Sequence, residues 1–139
     1  MARLILAIPL ALAFMAVQST ASLAQEPKIG SATATKNKVD GIVGGQSQPI
    51  ATGSEVYTNE VVRTAPNSVA DLKFLDDSNL SVGPISEIVL DKFVYDPNSS
   101  TPGTVVINAT KGAFRFVTGK QDKKVYQIKT PYGTIGIRG

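Results

Sequence analysis

Hydrophobic side chains in this chain occur in short runs separated by turn residues roughly every ten positions, the rhythm of an all-β domain. Ala70, Leu72 and Phe74 alternate with Asp71 and Lys73, and Phe114 and Phe116 flank Arg115. A period of two places each apolar set on one face of a strand, where a helix would scatter it. The pattern predicts strands over Glu55 to Thr64, Val69 to Leu75, Leu80 to Val82, Ser86 to Leu90, Phe93 to Tyr95, Thr104 to Ala109, Ala113 to Thr118, Lys124 to Thr130 and Thr134 to Arg138. Turn chemistry separates them: Ala65-Pro66-Asn67-Ser68, Asp76-Asp77-Ser78-Asn79, Gly83-Pro84, the stretch 96–103 and Gly119-Lys120-Gln121-Asp122. The expected architecture is a single all-β domain of short strands, a twisted solenoid-like or sandwich-like stack.

The N-terminus follows a different pattern. Arg3 precedes 14 apolar residues from Leu4 to Val17, and Gln18-Ser19-Thr20 then turn polar. This is the order of a secretory signal peptide, and the run, interrupted by Pro9, is short of the ~20 residues a bilayer requires. Small side chains at Ser22 and Ala24 place the cut between Ala24 and Gln25, with Ala21 as the second-choice site. Residues 1–24 are therefore read as signal and 25–40, polar and small, as a flexible leader. Residues 41–139 are read as the domain. The destination is the periplasm or the exterior, with no membrane span once the signal is removed.

Composition narrows the chemistry. The chain has no Cys and no His, which removes disulfides, thiolate metal sites, and Ser-His-Asp or Cys-His catalysis. Neither a cofactor nor a metal is expected, and the chain is read as not an enzyme. The carboxylates have structural readings. Asp77-Ser78-Asn79 opens like a calcium loop but lacks its glycine and distal glutamate, and so reads as a turn, while Asp91 and Asp96 read as caps or turns. An acid-dependent hydrolase built on paired carboxylates is the least favoured reading. Gly133, Gly136 and Gly139 recur every third residue without a helix to follow, which favours strand packing over a phosphate cradle. The run 41–45 reads as a flexible lead-in.

Charge is unevenly distributed: residues 25–110 carry 6 cations and 10 acids, residues 111–139 carry 7 cations and one acid. Lys120, Lys123 and Lys124 fall at the predicted tip of a hairpin whose arms bear Lys111, Arg115 and Lys129. These six are the candidate contacts for a protein partner or an anionic surface polymer. Phe114, Phe116 and Tyr126 lie among them, but their alternation directs them to a core, and no nucleic acid is expected.

Six ordered segments carry a resemblance: Asn59-Glu60-Val61-Val62-Arg63-Thr64, Val69-Ala70-Asp71-Leu72-Lys73-Phe74-Leu75-Asp76, Leu80-Ser81-Val82-Gly83-Pro84, the stretch 89–97, the stretch 111–119, and Ile128-Lys129-Thr130-Pro131-Tyr132-Gly133-Thr134-Ile135-Gly136-Ile137-Arg138-Gly139. From about Val56 to Gly139 the chain resembles the FecR domain family. The resemblance implies a periplasmic all-β module with a protein-interaction, regulatory or sensory role in the cell envelope. The family's best-known members relay occupancy of an iron–siderophore transporter to a sigma factor. This sequence shows no cytoplasmic segment ahead of its apolar run, which points to a module without a sigma-holding arm. Where the family has Asp-Gly-Ser or Asp-Gly-Thr at a tight turn, this chain has Asp76-Asp77-Ser78-Asn79, a sequence that tolerates left-handed backbone. The family pattern continues past Ile-Arg-Gly, so the resemblance implies a domain shortened at its C-terminus. The alternative function is a glycan- or surface-polymer-binding module using the basic C-terminal hairpin.

Overall fold

The computed structural model describes residues 26–137. The signal segment and its cut between Ala24 and Gln25 lie outside the described residues, as do Arg138 and Gly139. Twelve strands run in chain order: β1 Lys28–Lys36, β2 Val39–Val43, β3 Gln46–Pro49, β4 Glu55–Tyr57, β5 Val61–Thr64, β6 Val69–Phe74, β7 Asn79–Val82, β8 Glu87–Val94, β9 Thr104–Lys111, β10 Phe114–Val117, β11 Tyr126–Thr130 and β12 Gly133–Gly136. A 3₁₀ turn at Lys123–Val125 precedes β11. Among the described residues no helix is long and apolar enough to cross a membrane.

The strands form two sheets, one ordered β10-β7-β6-β1-β4 and the other β12-β11-β9-β8-β5-β2-β3. Pairing is antiparallel except for β9 with β11, which are parallel. The inward faces of both sheets feed one apolar cluster: Ile29, Leu72, Phe74, Leu80 and Val82 come from the first sheet, Val62, Ile88, Leu90, Ile107 and Tyr126 from the second. All-β architecture follows, in the stacked-sheet form of the two expected. Each fully buried Leu or Ile contributes about 1.5–3 kcal/mol, and with no disulfide this burial is the main source of stability.

The period-two runs form strands where expected. Ala70, Leu72 and Phe74 are buried on β6, and Phe114 and Phe116 pack against the core from β10. The segments at 86–90 and 93–95 are one strand, β8, because a register shift between Leu90 and Lys92 absorbs the irregular spacing. Asp91 thus sits within a strand and neither caps nor turns. Asp96 does turn the chain, its Oδ1 accepting from the Asn98 amide at 2.9 Å. The long strand expected over 55–64 is two, broken at Thr58-Asn59, where Asn59 takes φ +64°.

The leader is the main correction. Residues 28–36 are not flexible: β1 lies inside the first sheet between β4 and β6, with Ile29 and Ala32 buried. Gly30 allows this close pairing, since a Cβ there would lie 2.3 Å from the Lys73 carbonyl oxygen. The run 41–45 is no loose lead-in either. Gly44 (φ +58°) and Gly45 (φ +79°) make the two-residue turn of the β2–β3 hairpin, a conformation that glycine adopts at little cost.

Candidate functional site

Buried polar side chains separate structure from potential chemistry, because each one must find a partner or pay for its desolvation. Among the described residues six are buried: Glu60, Thr64, Ser68, Asp76, Ser78 and Ser86. Five have evident structural work. Thr64 Oγ1 donates to the Gly83 carbonyl at 2.6 Å and accepts from the Ser86 amide at 2.9 Å. Ser86 Oγ accepts from the Ala113 amide at 3.0 Å, and Ser68 Oγ from that of Lys38 at 3.0 Å.

Asp76 is a junction between the sheets. Its Oδ1 accepts from the Ser78 amide (3.0 Å) and Ser78 Oγ (2.5 Å), its Oδ2 from Tyr126 Oη (2.6 Å) and Gln121 Nε2 (3.0 Å). Burial alone would raise the pKa of Asp76, but the hydrogen bonds from Ser78, Tyr126 and Gln121 outweigh it and hold the carboxyl below its ordinary value. Burial and the Asp76 contact push Tyr126 up to about 12. The next residue, Asp77, takes φ +65° and pairs with Lys120 at 3.0 Å and Lys73 at 3.7 Å. The turn reading of Asp76-Asp77-Ser78-Asn79 holds.

Glu60 is different. It is 3% exposed, and its Oε1 is the one buried side-chain oxygen or nitrogen without a hydrogen-bond partner among the described residues. The backbone fixes its position: the Asn59 amide donates to the Leu90 carbonyl at 2.7 Å and the Leu90 amide to the Glu60 carbonyl at 2.9 Å, tying the β4–β5 turn to β8. The carboxyl reaches beneath the β2–β3 hairpin, where a Cβ on Gly41 would lie 2.8 Å from Oε2. Burial raises its pKa to about 7, opposed only in part by a hydrogen bond from the Tyr57 backbone.

Glu60 lines a cavity of about 400 Å³, with Glu26, Glu55, Tyr57, Gln46 and Gln48 as polar wall and Val43, Pro49 and Ile50 as apolar wall. Glu55 accepts from Tyr57 Oη at 3.0 Å and pairs with Lys28 at 3.1 Å. This site was missed in the sequence. Its available signal was Thr58-Asn59, turn residues that break an otherwise continuous strand pattern and precede a lone acid.

The six basic candidates are all exposed, but they do not line one hairpin. β10, carrying Arg115, pairs with β7 in the first sheet, while β11, carrying Lys129, pairs with β9 and β12 in the second. The hairpin failed because β9, with Val105 and Ile107 buried, offers β11 a paired, buried place that β10 does not. Lys111 ends β9, Lys120 is tied to Asp77, and Lys123 and Lys124 lie in the 3₁₀ turn. Among the described residues no group of three or more acidic, His or Cys side chains is placed to hold a metal ion.

The family described as FecR protein matches residues 60–139, more than half of the chain. The chain belongs to the FecR family. No curated protein and no solved structure matches it. The FecR match begins at Glu60, so β1 to β4 precede it, yet β1 and β2 pair directly with β6 and β5 inside the matched stretch. The Glu60 cavity is therefore built jointly from the first FecR-matched residue and the strands before it. At the tight turn, Asp77 itself takes the left-handed backbone, φ +65°, a conformation that Asp tolerates better than most side chains.

Proposed function

We propose that this chain is a non-enzymatic FecR-family module of the cell envelope, exported to the periplasm, that acts by binding a protein partner with a regulatory or sensory consequence. The observation that carries this reading is the family match over residues 60–139. Two further observations support it: the signal-like N-terminal sequence, and a core whose buried polar groups, Glu60 apart, are engaged in holding the sheets together.

The test is affinity capture from envelope extract with the exported protein as bait, followed by reconstitution with the purified prey. One envelope protein enriched in a constant ratio to the bait, and binding it saturably when purified, is the expected result. Recovery of background proteins alone, or of wall polymer and lipopolysaccharide alone, overturns the reading.

A second reading, contact with an anionic surface polymer, has one observation in its favour. Exposed Lys123 and Lys124 border an open depression with Tyr126, Gln127, Thr134 and Ile137, a surface on which a chain of sugars could lie. Co-sedimentation with lipopolysaccharide that falls with salt and with Lys123→Glu/Lys124→Glu supports this reading; salt-insensitive or absent sedimentation removes it.

A further inference from the structure

We propose that the cavity at Glu60 is a binding site for a cationic nitrogen group, a primary ammonium or a guanidinium on an alkyl stem. The inference does not depend on the module's partner being a protein.

Two features of the site lead there. Glu60 is a carboxyl more than nine-tenths buried, lining a cavity and lacking a partner on Oε1, so the folded chain bears the cost of desolvating this group without the usual compensation. No Lys or Arg reaches it within ion-pair distance among the described residues. A ligand that brings N–H donors and positive charge supplies both missing interactions at once.

The surroundings select the sign and shape of that ligand. Glu26 and Glu55 share the cavity wall, and among the described residues Lys28, paired with Glu55, is the one cation bound to either, so the mouth is net negative. Val43 and Ile50 form an apolar wall, suited to the methylenes of a stem whose head is charged. The volume of about 400 Å³ accommodates a side chain of Lys or Arg size. Gly41 keeps the space beside Oε2 open, because any Cβ there would meet the carboxyl.

Two sources share this chemistry: a free amine of the envelope, and a Lys or Arg side chain offered by another protein. The experiment is an amide NMR titration of the exported protein with n-butylammonium, n-butylguanidinium and spermidine in one arm. Acetyl-Gly-Lys-Gly-amide and acetyl-Gly-Arg-Gly-amide form the second arm, and n-butanol is the uncharged control.

The expected result is saturable shifts at Gly41, Ile50 and Tyr57 with a Kd below about 10 mM for at least one cation, and none for butanol. Glu60→Gln should weaken it about ten-fold or more at pH 8, the value of a charge-assisted hydrogen bond. Because the Glu60 acid titrates near 7, with Glu26, Glu55, Lys28 and Tyr57 as its charged or titratable neighbours, affinity should rise about ten-fold between pH 6 and pH 8 in the parent and stay flat in Glu60→Gln. Glu55→Gln alters an exposed side chain that the core does not need, and should weaken binding about two- to five-fold. Tighter binding of free amines assigns the ligand to that source, and tighter binding of the peptides to a partner's side chain. No saturation by any cation, equal binding of butanol, or unchanged affinity in Glu60→Gln overturns the proposal.

Discussion

Replacing Tyr126 by Phe removes a single oxygen from the place where the two sheets are joined by polar contacts. Tyr126 Oη donates to Asp76 Oδ2 at 2.6 Å and accepts from the Gly119 amide at 3.2 Å. The ring remains: it packs 5.3 Å from Phe116, and Phe preserves that contact. The loss is thus one charge-assisted hydrogen bond, worth about 1.5–3 kcal/mol, and one neutral bond worth about 0.5–1.5 kcal/mol, or about 2–4.5 kcal/mol together. Asp76 stays buried and keeps Ser78 and Gln121 as donors, which argues for the lower half of that range. The assay is urea unfolding followed by circular dichroism, with the midpoint shift converted through a shared slope. The pH dependence provides the sharper control. The pKa of Asp76 is held below its ordinary value of 3.8, so its contribution is complete above that value and is lost as pH falls through the lower folded value. The gap between parent and Tyr126→Phe should be constant from pH 8 to about 5 and narrow below 4. A gap under about 1 kcal/mol at neutral pH, or one that widens in acid, would refute the reasoning.

Other substitutions probe different parts of the molecule. Glu60→Gln should stabilise the chain at pH 8 by up to about 3 kcal/mol: the folded acid titrates near 7 against 4.5 unfolded, so the parent loses stability as pH rises across that interval, and the variant's urea midpoint should not follow. Gly30→Ala drives a Cβ into the Lys73 carbonyl and should cost about 2 kcal/mol or more in the same assay, whereas a free leader would show no change. Lys120→Ala removes an exposed ion pair with Asp77 and should leave the urea midpoint nearly unchanged, with any small shift abolished by salt.

The fold was legible where side chains are large and alternate. β6, β7, β10 and β11 follow from period-two runs such as Ala70-Asp71-Leu72-Lys73-Phe74, whose burial alternates with their spacing, whereas β9 buries three successive residues, Val105 to Ile107, and β12 is exposed throughout. β1 was not legible, because Gly30, Ala32 and Ala34 are small and their neighbours polar; the strand is held by its fit between β4 and β6 and by Ile29 and Ala32, a tertiary effect without a local signature. β2 and β3 were hidden the same way, though Gly44-Gly45 between Val43 and Gln46 is a two-residue hairpin turn that the sequence displays. The basic residues were expected on one hairpin because they are close along the chain, and the parallel β9–β11 pairing separates its arms. The Asp76–Tyr126 bond spans 50 positions and leaves no local pattern, and Glu60 sits in a segment read as strand, its cue reduced to the turn residues Thr58-Asn59 just ahead of it.

The central claim, that this FecR-family chain works by contact in the envelope, is tested most directly by photo-crosslinking in living producer cells with the tagged protein, reading both the N-terminus and the mass of each adduct. The expected product is a chain beginning at Gln25, recovered from the envelope and joined to one discrete protein of that compartment. Chain retained in the cytosol with Met1 attached, or envelope chain joined to nothing above background, would contradict it.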